Sequence, residues 1–243
     1  GGSQERDLTK ELNSDSVIDM ERIDPSEVNL PDWYRPNPGL ARELAFILFT
    51  GKSDGTRANR VTNGRWALSA FGTASAAAID STDTVFGTTM HYHPSGLLTT
   101  FGAAIAGGGR LALTDKFRPD TFWDEVRRYG VTVVSYTWTS LHSVVNAPTH
   151  PLEASTAVRL LMGSGMPLAL WQRARDRFAP AGILEFYAST EGEAVLANID
   201  GGNAGAKGHR LPGSARLKLA AYDIESRRLK TGEDGYAVEV EDG

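Results

Sequence analysis

The 243 residues contain no cysteine. That excludes a disulfide framework, a thiolate zinc site and a cysteine nucleophile, and it fits a reducing cytoplasm, the expected location. No run approaches the roughly 18 apolar residues that a membrane-crossing helix needs. The opening GGSQERDLTKE has neither the basic n-region nor the apolar stretch of a secretion signal. Cations are in the minority, 25 Lys and Arg against 30 Asp and Glu for a net charge of −5, so no nucleic-acid partner is expected. What remains, 41% hydrophobic and 23% charged, is the composition of a globular protein.

Three textures follow one another. Residues 1–42 are polar and acidic, with Pro25, Pro31, Pro36 and Pro38, and read as a lead-in or linker. Residues 43–200 alternate strand and helix patterns. LAFILFT (44–50) is a continuous apolar run that suits a strand covered on both faces, followed by the polar loop GKSDGTRANR and a helix in TNGRWALSAFGTASAAA. Then come TVFGT, the loop HYHPSG, the helix LLTTFGAAIAG, RLALT, DTFWDEVRRYG, VTVVSYT, SLHSVVNAP, VRLLMGS, ALWQRARDRF and ILEFYAS. In DTFWDEVRRYG, Pro119 and Asp120 sit at the start, Gly130 at the stop, and Phe122, Val126 and Tyr129 form a stripe. The alternation predicts an α/β fold, a mainly parallel sheet with flanking helices. Residues 201–243 alternate polar and apolar around TGEDG, predicting a partial, barrel-like antiparallel β element, and its unfinished sheet predicts a fragment of a larger chain.

Ligands of open α/β sheets sit beyond the carboxyl ends of the strands, so four loops matter most. Thr50-Gly51-Lys52-Ser53-Asp54-Gly55-Thr56-Arg57 has the hydroxyls, glycines and lysine of a phosphate cradle, and equally those of an ordinary polar turn; it is not a Walker sequence. His91-Tyr92-His93-Pro94-Ser95-Gly96 pairs two histidines without an evident third ligand, so helix capping or packing reads better than metal. Gly163-Ser164-Gly165-Met166-Pro167 could let a flat ring lie on bare backbone, or could be a tight strand-to-helix turn. Phe186-Tyr187-Ala188-Ser189-Thr190-Glu191-Gly192 offers an aromatic for stacking, hydroxyls for phosphate and a carboxylate for magnesium.

In this order the four loops resemble the adenylate-forming superfamily of acyl-CoA synthetases, luciferases and peptide-synthetase adenylation domains. The likeness is strongest to the very-long-chain fatty acyl-CoA synthetase and fatty-acid-transport branch. TFWDEVRRYGVTVVSYTWTSLHSVVNAP and GSGMPLALWQRARDRF…LEFYASTEG extend it from about Leu44 to the end. The resemblance implies a large-domain core that joins a fatty acid to CoA through an acyl-adenylate, using ATP, Mg²⁺ and CoA, with peripheral membrane contact for its lipid substrate. It implies that Tyr187, flanked by Ala188 and Ser189, stacks on adenine, with Gly163, Ser164 and Gly165 as the other wall. By the same likeness Thr190 holds the α-phosphate, Glu191 ligates Mg²⁺, and His93 stands beside the carboxylate being activated. Ser95 and Gly96 would lie near the acyl tunnel, and Thr50, Gly51, Lys52, Ser53 and Gly55 would cover the outer phosphates.

Three features depart from that pattern. The phosphate loop lacks the usual Pro-Lys pair, Asp54 places a negative charge where triphosphate would lie, and the ribose-binding aspartate and late catalytic lysine are not found. A fragment of this kind is expected not to turn over alone. The alternative is a catalytically degenerate module with a binding or regulatory role in a larger lipid-metabolism protein.

Overall fold

Short strands whose successive residues face opposite ways form the centre of the molecule, in a computed structural model that describes residues 23–33, 39–52, 55–114, 116–178, 181–190, 195–210 and 218–240. The chain divides into two units, residues 1–38 and 39–243. In the first, a 3₁₀ turn at Pro25–Glu27 is capped by Asp24, whose carboxylate accepts the Ser26 N–H.

The second unit opens with β1 (Leu44–Lys52) and β2 (Gly55–Thr62), paired antiparallel as a two-stranded ribbon. Two expectations are corrected here. Residues 55–60, expected in a loop, belong to a strand, and the apolar run of β1 is not covered on both faces: Leu48 is 6% exposed and its neighbour Phe49 69%. The pairing is the cause, because a ribbon packed on one side alternates in and out with period two. Leu48 and Val61 point inward against Leu98, and Phe46 meets the Trp66 ring edge-on at 5.5 Å. Helix α1 (Asn63–Ala76) follows at once, started by Thr62, whose hydroxyl accepts the Arg65 N–H at 3.2 Å.

From here strands and helices alternate as expected. The order is β3 (Thr84–Gly87), a π-helical turn (Ser95–Phe101) running into α2 (Gly102–Gly107), β4 (Arg110–Ala112), α3 (Phe122–Tyr129), β5 (Val133–Thr137), α4 (Trp138–Asn146), β6 (Leu160–Ser164), α5 (Leu168–Phe178) and β7 (Gly182–Ala188). They assemble a sheet in the order β4-β3-β5-β6-β7, parallel throughout, extended by antiparallel β8 (Val195–Asn198) and β9 (His209–Arg210). Each strand divides its residues between two cores. Val85, Val133, Met162 and Leu184 pack under α1 and α2. Phe86, Val134, Leu161 and Ile183 pack under α3, α4 and α5. Both faces are therefore buried, which is why these strands read as nearly continuous apolar runs.

Helix α3 stops at Gly130, whose φ of 61° suits glycine. Its start differs from expectation: the cap position is Thr121, not Pro119 or Asp120. Trp123, buried in the core, takes the place in the stripe expected for Tyr129, which is 37% exposed. Beyond residue 217, β10 (Leu219–Ala220) pairs with β13 (Glu239–Val240), and β11 (Tyr222–Asp223) with β12 (Arg228–Leu229). Both pairs are antiparallel ladders outside the main sheet.

Candidate functional site

Five parallel strands deliver their carboxyl ends to one edge of the sheet, and the loops that leave it carry most of the residues singled out above. The loop after β3 holds His93, that after β6 holds Gly165, and β7 ends on Tyr187 and Ala188. Two strands, β5 and β6, separate β3 from β7, so their ends stand about 14 Å apart at ordinary strand spacing.

The hairpin is built differently from expectation. Thr50, Gly51 and Lys52 pair with Arg57, Thr56 and Gly55 in the β1–β2 ladder, so they are not a loop between a sheet strand and its helix. The Thr50 hydroxyl accepts the Asn59 side-chain amide at 2.9 Å. Ser53 lies outside the described residues, as does Asp54.

After β3 the chain turns through residues 88–94 into the π-helical segment, a rare geometry that is frequent at functional sites. Gly96 makes this possible: a Cβ there would come within 2.3 Å of the Met90 carbonyl oxygen. Just ahead of this segment, whose N-cap position, Pro94, makes no side-chain cap bond, His93 Nδ1 accepts the Ser95 N–H at 3.1 Å. That bond leaves the ring proton of the neutral tautomer on Nε2. Partial burial holds the His93 pKa below the ordinary histidine value although the side chain still meets solvent, so the ring is neutral at pH 7.

The region of β6 and β7 is organised around Gly163 by three residues that the sequence did not single out, Tyr136, Glu185 and Asn198. Tyr136 on β5, Gly163 on β6, Glu185 on β7 and Asn198 on β8 are successive partners across four strands. Gly163 is the gap in this row: a Cβ there would lie 2.2 Å from the Tyr136 carbonyl oxygen and 2.8 Å from its ring. The ring that lies against Gly163 is therefore the protein's own. Tyr136 crosses it to donate its hydroxyl to Glu185 Oε2 at 2.5 Å. Glu185 Oε1 accepts the N–H groups of Gly165 (2.7 Å) and Met166 (3.0 Å) and the Lys207 ammonium (2.5 Å). The Glu185 side chain has no exposure, whereas Lys207 reaches it from solvent. Burial, reinforced by the adjacent carboxylate, pushes the Tyr136 hydroxyl well above its ordinary pKa. A glutamate inside the run ILEFYA was the available signal, because a carboxylate in a buried strand requires partners.

Tyr187 shares the face of Glu185, two residues further along β7, and is 47% exposed. Beyond it, Arg65 of α1 donates to the carbonyl oxygens of Ser189 (3.3 Å) and Thr190 (2.7 Å), tying the helix that follows the hairpin to the end of β7. Glu191 lies outside the described residues. Ser164 ends β6, and Gly165, with φ of 94°, turns the chain against Trp138 at the start of α4. A shallow hollow of about 220 Å³ on the same edge lies against Thr88, Phe117 and Thr137 and touches none of the expected site residues.

Residues 3–238 match the family model for AMP-binding enzymes. Among curated proteins, the chain is 31% identical over 202 residues to mouse long-chain fatty acid transport protein 5, an alignment that covers 82% of this chain and 29% of that protein. It is 29% identical over 209 residues to the medium/long-chain-fatty-acid–CoA ligase FadD6 of Mycobacterium tuberculosis, covering 80% of this chain and 34% of the ligase. Among solved structures, ATP-bound MatB from Rhodopseudomonas palustris superposes with a TM-score of 0.67 at 23% identity, covering 84% of this chain and 39% of MatB. The chain thus spans about a third of the length of the curated relatives it matches.

Proposed function

Because the chain belongs to the AMP-binding, adenylate-forming enzyme family, with fatty-acid proteins among its relatives, we propose that it carries the acyl-adenylate site of a fatty acid–CoA ligase. In that reaction a fatty carboxylate attacks the α-phosphorus of ATP, pyrophosphate leaves, and the thiol of CoA then displaces AMP. The observation that carries the reading is the end of β7, where an exposed tyrosine leads into a hydroxyl-rich segment whose backbone Arg65 holds.

Each residue has a part in the proposal. Tyr187 gives adenine a stacking surface and the turn at Ser164–Gly165 limits the opposite side; Thr190 faces the α-phosphate. His93, neutral and with its proton on Nε2, donates to the substrate carboxylate without competing for a proton. The work of this edge is electrostatic and positional, with no covalent enzyme intermediate. Mg²⁺ would come with the triphosphate and neutralise its charge, and Glu191 is the proposed protein ligand. Among the described residues no group of three carboxylates or histidines could hold an ion. Glu185 does not fit the task either, since both its oxygens are already bonded.

Calorimetry with a dodecanoyl-sulfamoyl-adenosine mimic of the acyl-adenylate tests the reading. Saturable heat is expected, and Tyr187→Ala should weaken binding by about 1–3 kcal/mol, the worth of one base–aromatic stack. Unchanged affinity in that variant would remove adenine stacking from the account. A second reading, the degenerate module, draws on Asp54 and the missing Pro-Lys pair. Heat with the adenylate mimic but none with Mg-ATP would favour it.

A further inference from the structure

Glu185 is buried more completely than any other acid among the described residues, and the proposed chemistry does not use it. A carboxylate without exposure is costly unless its lone pairs are matched, and here four donors match them. The donors come from three separate parts of the chain. Tyr136 belongs to β5, Gly165 and Met166 to the turn after β6, and Lys207 to the segment between β8 and β9. Asn198 orders that last segment, its side-chain amide donating to the Asn203 carbonyl at 2.7 Å and to that of Ala206 at 3.3 Å.

We propose that Glu185 is a positioning residue: it fixes the Gly165–Met166 turn beside Tyr187, and with it the width of the slot an adenine ring would enter. Two physical consequences follow. The N–H groups of Gly165 and Met166 are consumed by the carboxylate, so the turn presents carbonyl and Cα surface to a ligand rather than amide donors. Lys207 supplies the counter-charge, so the turn is coupled to the segment between β8 and β9 through a single oxygen. The slot is then set before any ligand arrives, which lowers the ordering cost of binding. This inference rests on the nucleotide reading only for the identity of the ligand. The placement of the turn stands on the hydrogen bonds themselves.

The test pairs amide hydrogen exchange at Gly165 and Met166 with binding of the dodecanoyl-sulfamoyl-adenosine mimic, in the 243-residue chain. Glu185→Ala should speed both exchange rates and weaken the mimic by about tenfold or more, the cost of leaving buried donors unmatched. Glu185→Gln keeps a carbonyl oxygen for the two amides and should restore slow exchange. Val134→Ala, a core truncation in the same layer, should lower the melting temperature yet leave the two amides protected. Should Glu185→Ala fail to fold, Lys207→Met carries the test, with both amides exchanging several-fold faster and the mimic bound more weakly. Wild-type exchange rates at both positions in Glu185→Ala, or in Lys207→Met where the alanine variant does not fold, would overturn the proposal. If the wild-type chain does not bind the mimic, the nucleotide reading fails by itself, and the exchange rates alone decide whether Glu185 positions the turn.

Discussion

Asp83 shows at the scale of one residue how this fold treats a buried acid outside its candidate site. It stands at the amino end of β3, 3% exposed, on the far side of the sheet from Tyr187. Arg159 grips it with Nε at 2.9 Å and Nη2 at 2.6 Å, while Thr132 donates its hydroxyl and Asp80 its N–H. These bonds, those of Arg159 foremost, lower its pKa from 3.8 to about 2. Because the folded value is the lower one, the stabilisation is complete above pH 4 and is lost as pH falls toward 2. A shift of that size corresponds to about 2 kcal/mol, trimmed toward 1 kcal/mol because Arg159 is open to solvent. Urea unfolding at pH 7, 4 and 2.5 should lose this acid-side slope in Asp83→Asn; an unchanged slope would mean that other carboxylates set the acid limit. The partners of Asp83 and Glu185 were not legible in the sequence. Arg159 lies 76 residues from Asp83, and Lys207 lies 22 from Glu185 across a strand reversal. Tyr187 and Thr190 could be singled out together because an aromatic residue and a hydroxyl residue lie within one short stretch.

Among elements, the sheet strands were readable because burial on both faces leaves long apolar runs, and the helices because their stripes and Gly130 mark them. The β1–β2 hairpin was not. TRANRVT alternates a polar exposed face with a sparse inner one, so its residues resemble a loop until Val61 is seen against Leu98. Cross-strand fit is likewise invisible to spacing. Gly163 reads as a flexible turn residue, yet its lack of a side chain is what lets Tyr136 span from β5 to β7. Gly163→Ala should therefore push Tyr136 off Glu185. The expected cost is about 1–3 kcal/mol of stability from overpacking, read by thermal unfolding, together with a fall in the Tyr136 pKa as its buried hydrogen bond is lost. A variant as stable as wild type would show that β6 can move aside, and that the row across the strands is not tightly fitted.

For the whole molecule, one arrangement recurs. The two cores on either side of the sheet hold the strands, ion pairs such as Asp83–Arg159 close the amino ends, and the carboxyl ends are left to loops held by polar side chains. The α/β alternation made this architecture readable, whereas the antiparallel β9 at the sheet's margin, two residues long, leaves no periodic trace. We propose that the adenine of an acyl-adenylate lies at the end of β7. Photolabelling the chain with an 8-azidoadenosine form of the acyl-sulfamoyl mimic, followed by peptide mapping, tests it most directly. The label is expected on the peptide that contains Tyr187, and excess unlabelled mimic should abolish it. Label that collects instead near Asp83 and Arg159, or that resists competition, would contradict the claim.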